Sequence, residues 1–270
     1  MLVIGELINS TRGEIQKALK EKDESTIRRL VRAQVDAGAD LLDINTATSR
    51  DQELSDMEWV IGLIYDEVGE KVRLCIDSPN PKAIEHGLSL CKSPPLINSI
   101  TNDKKLQQKL IPLIDEYSAE FIGLPMGGGG MPMTVDARME EAEMLISTLQ
   151  AAEIPLNHLY IDPMVMTIGS NPEQAEAVRT TIKEVKGHWG KDGVKTSVGL
   201  SNISFGLPYR SIVNQSYLVL LLDAGLDAAL IDPTDRGMMD ILYGAEALLE
   251  RDPHCLNYIK YMRKRKKGGK

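Results

Sequence analysis

Carboxylates and side-chain amides recur in this sequence at one kind of place, the end of a short apolar run. Glu6 and Asn9 close "LVIGELIN", Asp43 and Asn45 close "DLLDINT", and Asp77 closes "VRLCIDS". Asn98 falls in "LINSIT", Asp162 in "LYIDPMV", Ser201 and Asn202 in "TSVGLSN", and Asp232 in "AALIDP". Histidine is missing from the set: His86, His158, His188 and His254 fall in segments expected as helices or loops. Soft metals want His or paired Cys, and Cys75, Cys91 and Cys255 are scattered without a C-x-x-C pair. No catalytic metal is expected, and the cysteine usage fits a reducing compartment. Magnesium on carboxylates usually comes with phosphate-binding partners, and the cations near these ends are few, Lys195 before the seventh run and Arg210 after it.

The elements that must position these groups follow from periodicity. Eight apolar runs (2–9, 40–46, 72–78, 96–101, 121–126, 159–165, 196–202 and 228–233) alternate with amphipathic segments at spacings of 24 to 38 residues. In "ESTIRRLVRAQVDAGA", Ile27, Leu30, Val31 and Gln34 share one helical face, and "AGA" marks the stop. Eight strand–helix units in a 270-residue chain predict an α/β fold, a single (β/α)8 TIM barrel. The rival, a doubly wound open sheet, usually carries a Gly-rich phosphate turn after its first strand, and "GELINSTRGE" does not match G-x-G-x-x-G. The barrel would span residues 1–260, with 261–270 as a basic, disordered tail. Such a barrel builds its active site at the carboxyl ends of the strands, where the polar set would converge.

Some of these residues have a second reading as helix caps, above all in "DSPN" at 77–80 and "TND" at 101–103. Seven of eight strand ends carrying a carboxylate or amide is more than capping needs. Asp43 and Asn45, two apart, lie on one side of their strand. Buried carboxylates need compensating donors. An aminopyrimidinone edge, as in pterins and guanines, offers N–H and NH2 side by side and matches one carboxylate bidentately. The four glycines of "MGGGGMPM" (126–133) lack the Lys-Ser/Thr ending of a phosphate loop and read as a flexible connection.

The bulk properties narrow the classes further. A net charge of −8 and a pI near 5.2 argue against a nucleic-acid binder. "MLVIGELIN" has no basic stretch ahead of a long apolar one, and no run reaches the length of a membrane span, so a cytoplasmic protein is expected.

"GELIN" (5–9), "LLDIN" (41–45), "LCIDSPN" (74–80), "LINSI" (96–100), "YIDP" (160–163) and "GLSNISFGLP" (199–208), in this order, carry a family resemblance over nearly the whole chain. The sequence resembles the pterin-binding methyltransferases that move a methyl group between methyltetrahydrofolate and a corrinoid protein. The resemblance implies a (β/α)8 barrel, tetrahydrofolate or methyltetrahydrofolate as substrate, a corrinoid carried by a partner protein, and a homodimer. It implies that Asp77, Asn98 and Asp162 hydrogen-bond the pterin ring and that Asn202 reaches N5, the nitrogen bearing the methyl group. Glu6, Asn9, Asp43 and Asn45 match positions near the site, Ser201 is their neighbour, and Arg210 would face the folate tail or the partner or simply start a helix. The chain lacks the D-x-H-x-x-G pattern that presents an axial histidine to cobalamin, so a corrinoid would arrive on another protein. The related dihydropteroate synthases would be expected to carry a Lys motif at the seventh strand end and an Arg-His pair at the eighth. Here those places read "GLSNIS" and "LIDP". A non-catalytic pterin-binding barrel would need the polar mouth but not Asn202.

Overall fold

The computed structural model describes residues 1–48 and 51–268. Eight parallel strands follow one another around a closed barrel: β1 (Leu2–Asn9), β2 (Leu41–Asn45), β3 (Arg73–Asp77), β4 (Leu96–Ile100), β5 (Glu120–Gly123), β6 (Leu159–Ile161), β7 (Lys195–Gly199) and β8 (Ala228–Ile231). β1 pairs with β2 on one side and with β8 on the other, which closes the ring. The helices α1 (Gly13–Glu21), α2 (Glu24–Ala37), α3 (Glu53–Val68), α4 (Pro81–Ser89), α5 (Lys104–Glu116), α6 (Val135–Ala151), α7 (Gln174–Trp189), α8 (Arg210–Ala224) and α9 (Arg236–Leu248) lie between and after the strands. This is the single (β/α)8 barrel expected from the spacing.

Strand ends differ from the periodicity reading, and the differences matter for the site. The runs read as 121–126, 159–165 and 228–233 stop at Gly123, Ile161 and Ile231. Pro125, Pro163 and Pro233 follow closely, and proline has no N–H to give the ladder. The run read as 196–202 stops at Gly199, and a tight helical turn over Leu200–Ser204 replaces its end. Asp162, Ser201, Asn202 and Asp232 therefore stand on turns just beyond the strands. The first crossover holds two helices where one was expected.

Inside the ring, Ile4, Leu41, Cys75, Leu96, Ile122 and Tyr160 form a packed plug, so the barrel is a core and not a channel. α2 buries Ile27, Leu30, Val31 and Gln34 against it and ends at Gly38, whose φ of 107° only glycine adopts freely. Gln34 has a specific task. The β1–β2 ladder shifts register between Gly5 and Ile8, and the Leu7 N–H donates instead to Gln34 Oε1 at 3.0 Å. A side chain on Gly5 would collide with that amide.

The barrel's amino-terminal end is closed by charge. Glu120 accepts from Arg73 Nη2 at 2.6 Å and from Lys195 Nζ at 2.6 Å, and Tyr160 OH donates to Glu120 at 3.1 Å. Lys195 thus begins β7 at the end of the barrel opposite the strands' carboxyl ends.

The basic segment from 261, expected as a disordered tail, is helical through Gly268 as the end of α10 (Leu256–Gly268). Three contacts give it a footing: Tyr261 stacks on Tyr243 at 4.3 Å, Arg265 pairs with Asp240 at 2.7 Å, and Lys264 donates to the Asp36 carbonyl. The last two residues of that segment, 269–270, lie outside the described residues. Among the described residues, no helix is long and apolar enough to cross a membrane.

Candidate active site

Asp77, the last residue of β3, stands opposite Asn98 of β4 in the parallel ladder. Asn45 ends β2 and donates from Nδ2 to Asp77 Oδ2 at 3.0 Å. Its carbonyl oxygen accepts from Ser10 Oγ at 2.7 Å and from the Ala47 N–H at 3.2 Å. The amide is thereby fixed in orientation and holds one of the two Asp77 oxygens. Asp43 lies two residues earlier on the same side of β2 but deeper, only 1% exposed. Its Oδ1 accepts from Asn98 Nδ2 at 3.3 Å. That bond turns the Asn98 carbonyl oxygen outward. Asp43 meets Asn98 and does not itself line the cleft described below.

These carboxylates do not titrate like exposed ones. Burial pushes Asp43 well above the usual aspartate range, and the Asp77 charge adds to it. Burial raises Asp77 to about 6, against the Asn45 hydrogen bond, which favours the charged form. Glu53, at the start of α3, was not singled out by sequence because a glutamate in a first helical turn reads as a surface residue. It is 2% exposed and takes hydrogen bonds from Ser78 Oγ and Asn80 Nδ2. Asn80 also caps α4 and Asp103 caps α5, so the capping reading holds for those two residues.

Across the mouth, Asp162 follows β6. Its N–H donates to the Gly123 carbonyl at 3.0 Å and its carboxylate accepts from the Met164 N–H at 2.7 Å. Burial lifts it to about 7, opposed by the N–H groups of Met164 and Gly199 and by the Arg138 charge. Asn202 rides on the turn after β7, which is tied to the neighbouring loop by Ile168 N–H to Ile203 O at 3.0 Å and Thr167 Oγ1 to Phe205 O at 2.7 Å. A Cβ on Gly199 would sit 3.0 Å from Asn202 Nδ2. Glycine there leaves the amide room to move.

Asn98, Asp162 and Asn202 line one cleft of about 480 Å³. Its walls are Leu124, Phe205 and the methionines 126, 131, 164 and 166. The methionine walls were not anticipated, since a scattered Met reads as core. Two of them, Met126 and Met131, belong to the 126–133 loop, where Gly127 and Gly130 bridge in a tight turn. The arrangement suits a flat heterocycle: apolar, polarizable faces meet the ring, and carboxylate and amide groups meet its edge.

A second hollow of about 250 Å³ adjoins on the β8–β1 side, lined by Glu6, Arg12, Ser201, Arg210 and Asp232 among others. Ser201 Oγ donates to Glu6 at 3.1 Å, and burial raises the Glu6 carboxyl above its ordinary value. Arg210 starts α8 and donates to Ser201 O at 2.6 Å and to Ser204 Oγ at 3.0 Å, bracing the turn that carries Asn202. Asn9 is taken up by its own turn, accepting from the Thr11 N–H and hydroxyl. Asp232 does the same with Thr234. The structure thus brings Asn98, Asp162 and Asn202 together in the cleft, sets Asp77 beside Asn98 at the strand ends with Asn45 and Asp43 behind them, and leaves Glu6, Ser201 and Arg210 around the adjoining hollow. A larger hollow of about 540 Å³ lies outside the barrel between α2, α9 and α10. It takes none of these strand-end groups.

A family model described as pterin binding enzyme matches residues 5–232. The chain belongs to that family. The match runs from within β1 to just past β8 and covers all the residues placed around the mouth. Among relatives, the methylcorrinoid:tetrahydrofolate methyltransferase of Eubacterium limosum is 33% identical over 270 residues, 99% of this chain and 98% of that one. The methionine synthase of Mycobacterium leprae is 26% identical over 244 residues, 86% of this chain and only 20% of that protein. In three dimensions the family member superposes on dihydropteroate synthases. The Yersinia pestis enzyme with a sulfonamide drug gives a TM-score of 0.70 at 17% identity, covering 93% of this chain and 94% of that one. The Anaplasma phagocytophilum enzyme with 6-hydroxymethylpterin-monophosphate gives 0.64 at 20% identity, covering 90% and 98%. At such identities these neighbours speak for the fold alone.

Proposed function

We propose that the chain is a methyltransferase that moves a methyl group between N5 of tetrahydrofolate and the cobalt of a corrinoid held by a separate protein. The observation that carries the reading is the convergence of Asn98, Asp162 and Asn202 on one cleft, in a chain one-third identical over its full length to a methylcorrinoid:tetrahydrofolate methyltransferase. Asp162, Asp77 and the carbonyl oxygen of Asn98 accept from the N–H and NH2 edge of the pterin, and the methionines cover its faces. The corrinoid, when its protein brings it, supplies the metal that exchanges the methyl group. The exposed Phe205, Tyr209 and Ile212 beyond Asn202 offer that protein an apolar rim.

The chain's own contribution lies at N5. When the N5–CH3 bond breaks, the nitrogen keeps the electron pair, so a neutral tertiary amine leaves poorly unless that charge is met. The Asn202 amide donates to N5 as charge grows there, does not itself titrate, and has space beside Gly199 to follow N5 between its two states. Asp162, near neutrality in its titration, is the group that can exchange a proton at the pterin edge. The seventh and eighth strand ends carry no basic residue, and Lys195 serves the opposite end of the barrel, which disfavours a dihydropteroate synthase reaction. A homodimer belongs to the proposal, supported by half-exposed apolar residues on α8 such as Leu220.

The test is spectroscopic. Cob(I)alamin absorbance should decay only when methyltetrahydrofolate and the protein are both present. Asn202→Ala should slow that decay by about 10²–10³, the scale for losing one oriented donor, while the dissociation constant for the folate changes far less. Undiminished turnover in Asn202→Ala would remove its role; no decay with the wild type would remove the reaction.

A further inference from the structure

Arg138 lies in the first turn of α6, with no exposed surface at all. It is the largest fully buried side chain among the described residues. Taking a guanidinium out of water is costly unless charge and hydrogen bonds compensate. Arg138 has few bonds to show for it. Nη2 donates to Gln174 Oε1 at 2.6 Å and to the Met164 carbonyl at 3.4 Å, while Nε and Nη1 find no partner among the described residues. A methionine or leucine would fill this place at lower cost, so packing does not explain the residue.

Its two bonds lead to the cleft. Met164 lines the cleft wall and holds a φ of 62°, a left-handed conformation that is uncommon for a side chain of its kind. Both polar ends of Met164 are held: its N–H by the Asp162 carboxylate at 2.7 Å, its carbonyl by Arg138. Gln174, the other partner, donates from Nε2 to the Met133 carbonyl at 3.1 Å, at the end of the Gly-rich loop. One guanidinium therefore grips the turn that aims Asp162 and, through Gln174, the loop that carries two of the cleft's methionines.

We propose that Arg138 is a positioning residue for Asp162: it locks the Met164 turn that points the carboxylate into the cleft and supplies the positive charge behind it. The inference rests on the folate reading of the cleft. The surrounding charges leave this role to Arg138. Asp162 is the one titratable side chain lining the cleft among the described residues, and Arg138 is the charged group that favours its ionised form. Tyr217 of α8 also faces both groups; its phenol is pushed up by burial and donates to the Ala175 carbonyl, so it stands there uncharged. Glu176 and Arg179 of α7 pair with each other at 2.8 Å and largely cancel.

Calorimetric titration of the full chain with tetrahydrofolate across pH 5.5 to 9 tests the assignment. The pterin edge donates, so binding needs Asp162 ionised, and wild-type affinity should fall as pH drops through about 7. Removing the Arg138 charge raises the cost of ionising Asp162. Arg138→Met should move the midpoint up by about one pH unit, giving about tenfold weaker binding at pH 6.5 and a deficit that fades by pH 9. Arg138→Lys keeps the charge and should keep the wild-type midpoint. Combined with Asp162→Asn, which removes the dependence near pH 7 and leaves that of Asp77 near 6, Arg138→Met should add none. A residue that only fills space would lower affinity equally at every pH, and an unshifted midpoint in Arg138→Met overturns the proposal. If circular dichroism shows that Arg138→Met does not fold, Arg138→Gln, which can still donate to Met164, reads the same midpoint. A wild type that binds no tetrahydrofolate at any pH removes the folate reading; one that binds with unmoved midpoints in the variants removes only the role of Arg138.

Discussion

Asp43 and Asp162 are both buried carboxylates, yet one faces into the barrel and the other into the cleft, and they should answer substitution differently. Asp43 is raised well above the usual range by burial and by the charge of Asp77, the direction that favours its neutral form. Its neighbour Cys75 is a buried thiol itself pushed up by burial and by the nearby Asp43 charge. Asparagine copies a neutral aspartic acid in shape and still accepts from Asn98. Asp43→Asn should therefore bind tetrahydrofolate at pH 7 within about threefold of wild type. Asp43→Leu leaves Asn98 Nδ2 without its acceptor, free to turn toward the ligand, and should cost about 1–3 kcal/mol of binding, or tenfold and more. Calorimetry on the two variants decides, and an Asp43→Asn as weak as Asp43→Leu would mean that the buried group is charged. The sequence could say that Asp43 and Asn45 share a side of their strand but not how deep each lies. Depth depends on the stagger of neighbouring strands, which no single run contains. Glu53 and Arg138 were illegible for a related reason: a charged residue on an amphipathic helix reads as solvent-facing until the partners that bury it are known.

At the scale of elements, the alternation of runs was enough for the barrel, because eight buried parallel strands leave long apolar stretches and eight crossovers leave amphipathic ones. The strand ends were less legible. Pro163 shortens β6 and Gly199 ends β7, so Asp162 and Asn202 sit on turns whose shapes come from hydrogen bonds to other loops. The face of α2 was readable to the residue, Gln34 included, although its reason lay in β1. Gln34 answers the backbone N–H that the β1 irregularity leaves unpaired. Gln34→Met keeps the volume and orphans that buried N–H, which should lower unfolding stability by about 1–3 kcal/mol. Because Glu6 sits between Gly5 and Leu7, the same variant should also disturb the Glu6–Ser201 bond. Urea denaturation gives the first quantity, and a stability loss below about 0.5 kcal/mol would show that β1 relaxes without the amide.

The whole molecule divides its polar residues between two ends. The carboxyl end gathers groups with raised pKa values and few ion pairs, the condition expected of a binding site. The amino-terminal end carries the Arg73–Glu120–Lys195 network, where the Glu120 carboxyl is held below its usual range by hydrogen bonds from Lys195 and Arg73, against a cost of burial. In barrels of this class, charged residues at that end speak for stability and not for catalysis. Glu120→Gln leaves two cations facing each other across a neutral amide and should lower unfolding stability by about 1–2 kcal/mol at pH 7, the cations being about one-third exposed. The sign with pH follows from the depressed carboxyl. Its contribution is fully present above the ordinary glutamate value of 4.5 and is lost as pH falls through the lower value it has in the fold. The stability gap between wild type and Glu120→Gln, measured in urea at pH 7 and again at pH 4 and below, should therefore narrow with acid. The folate affinity and methyl-transfer rate of Glu120→Gln at pH 7 should stay within about twofold of wild type, because the network lies at the far end of a packed core from Asp162 and Asn202. A variant that keeps its stability but loses turnover would mean that the two ends of the barrel are coupled through that core.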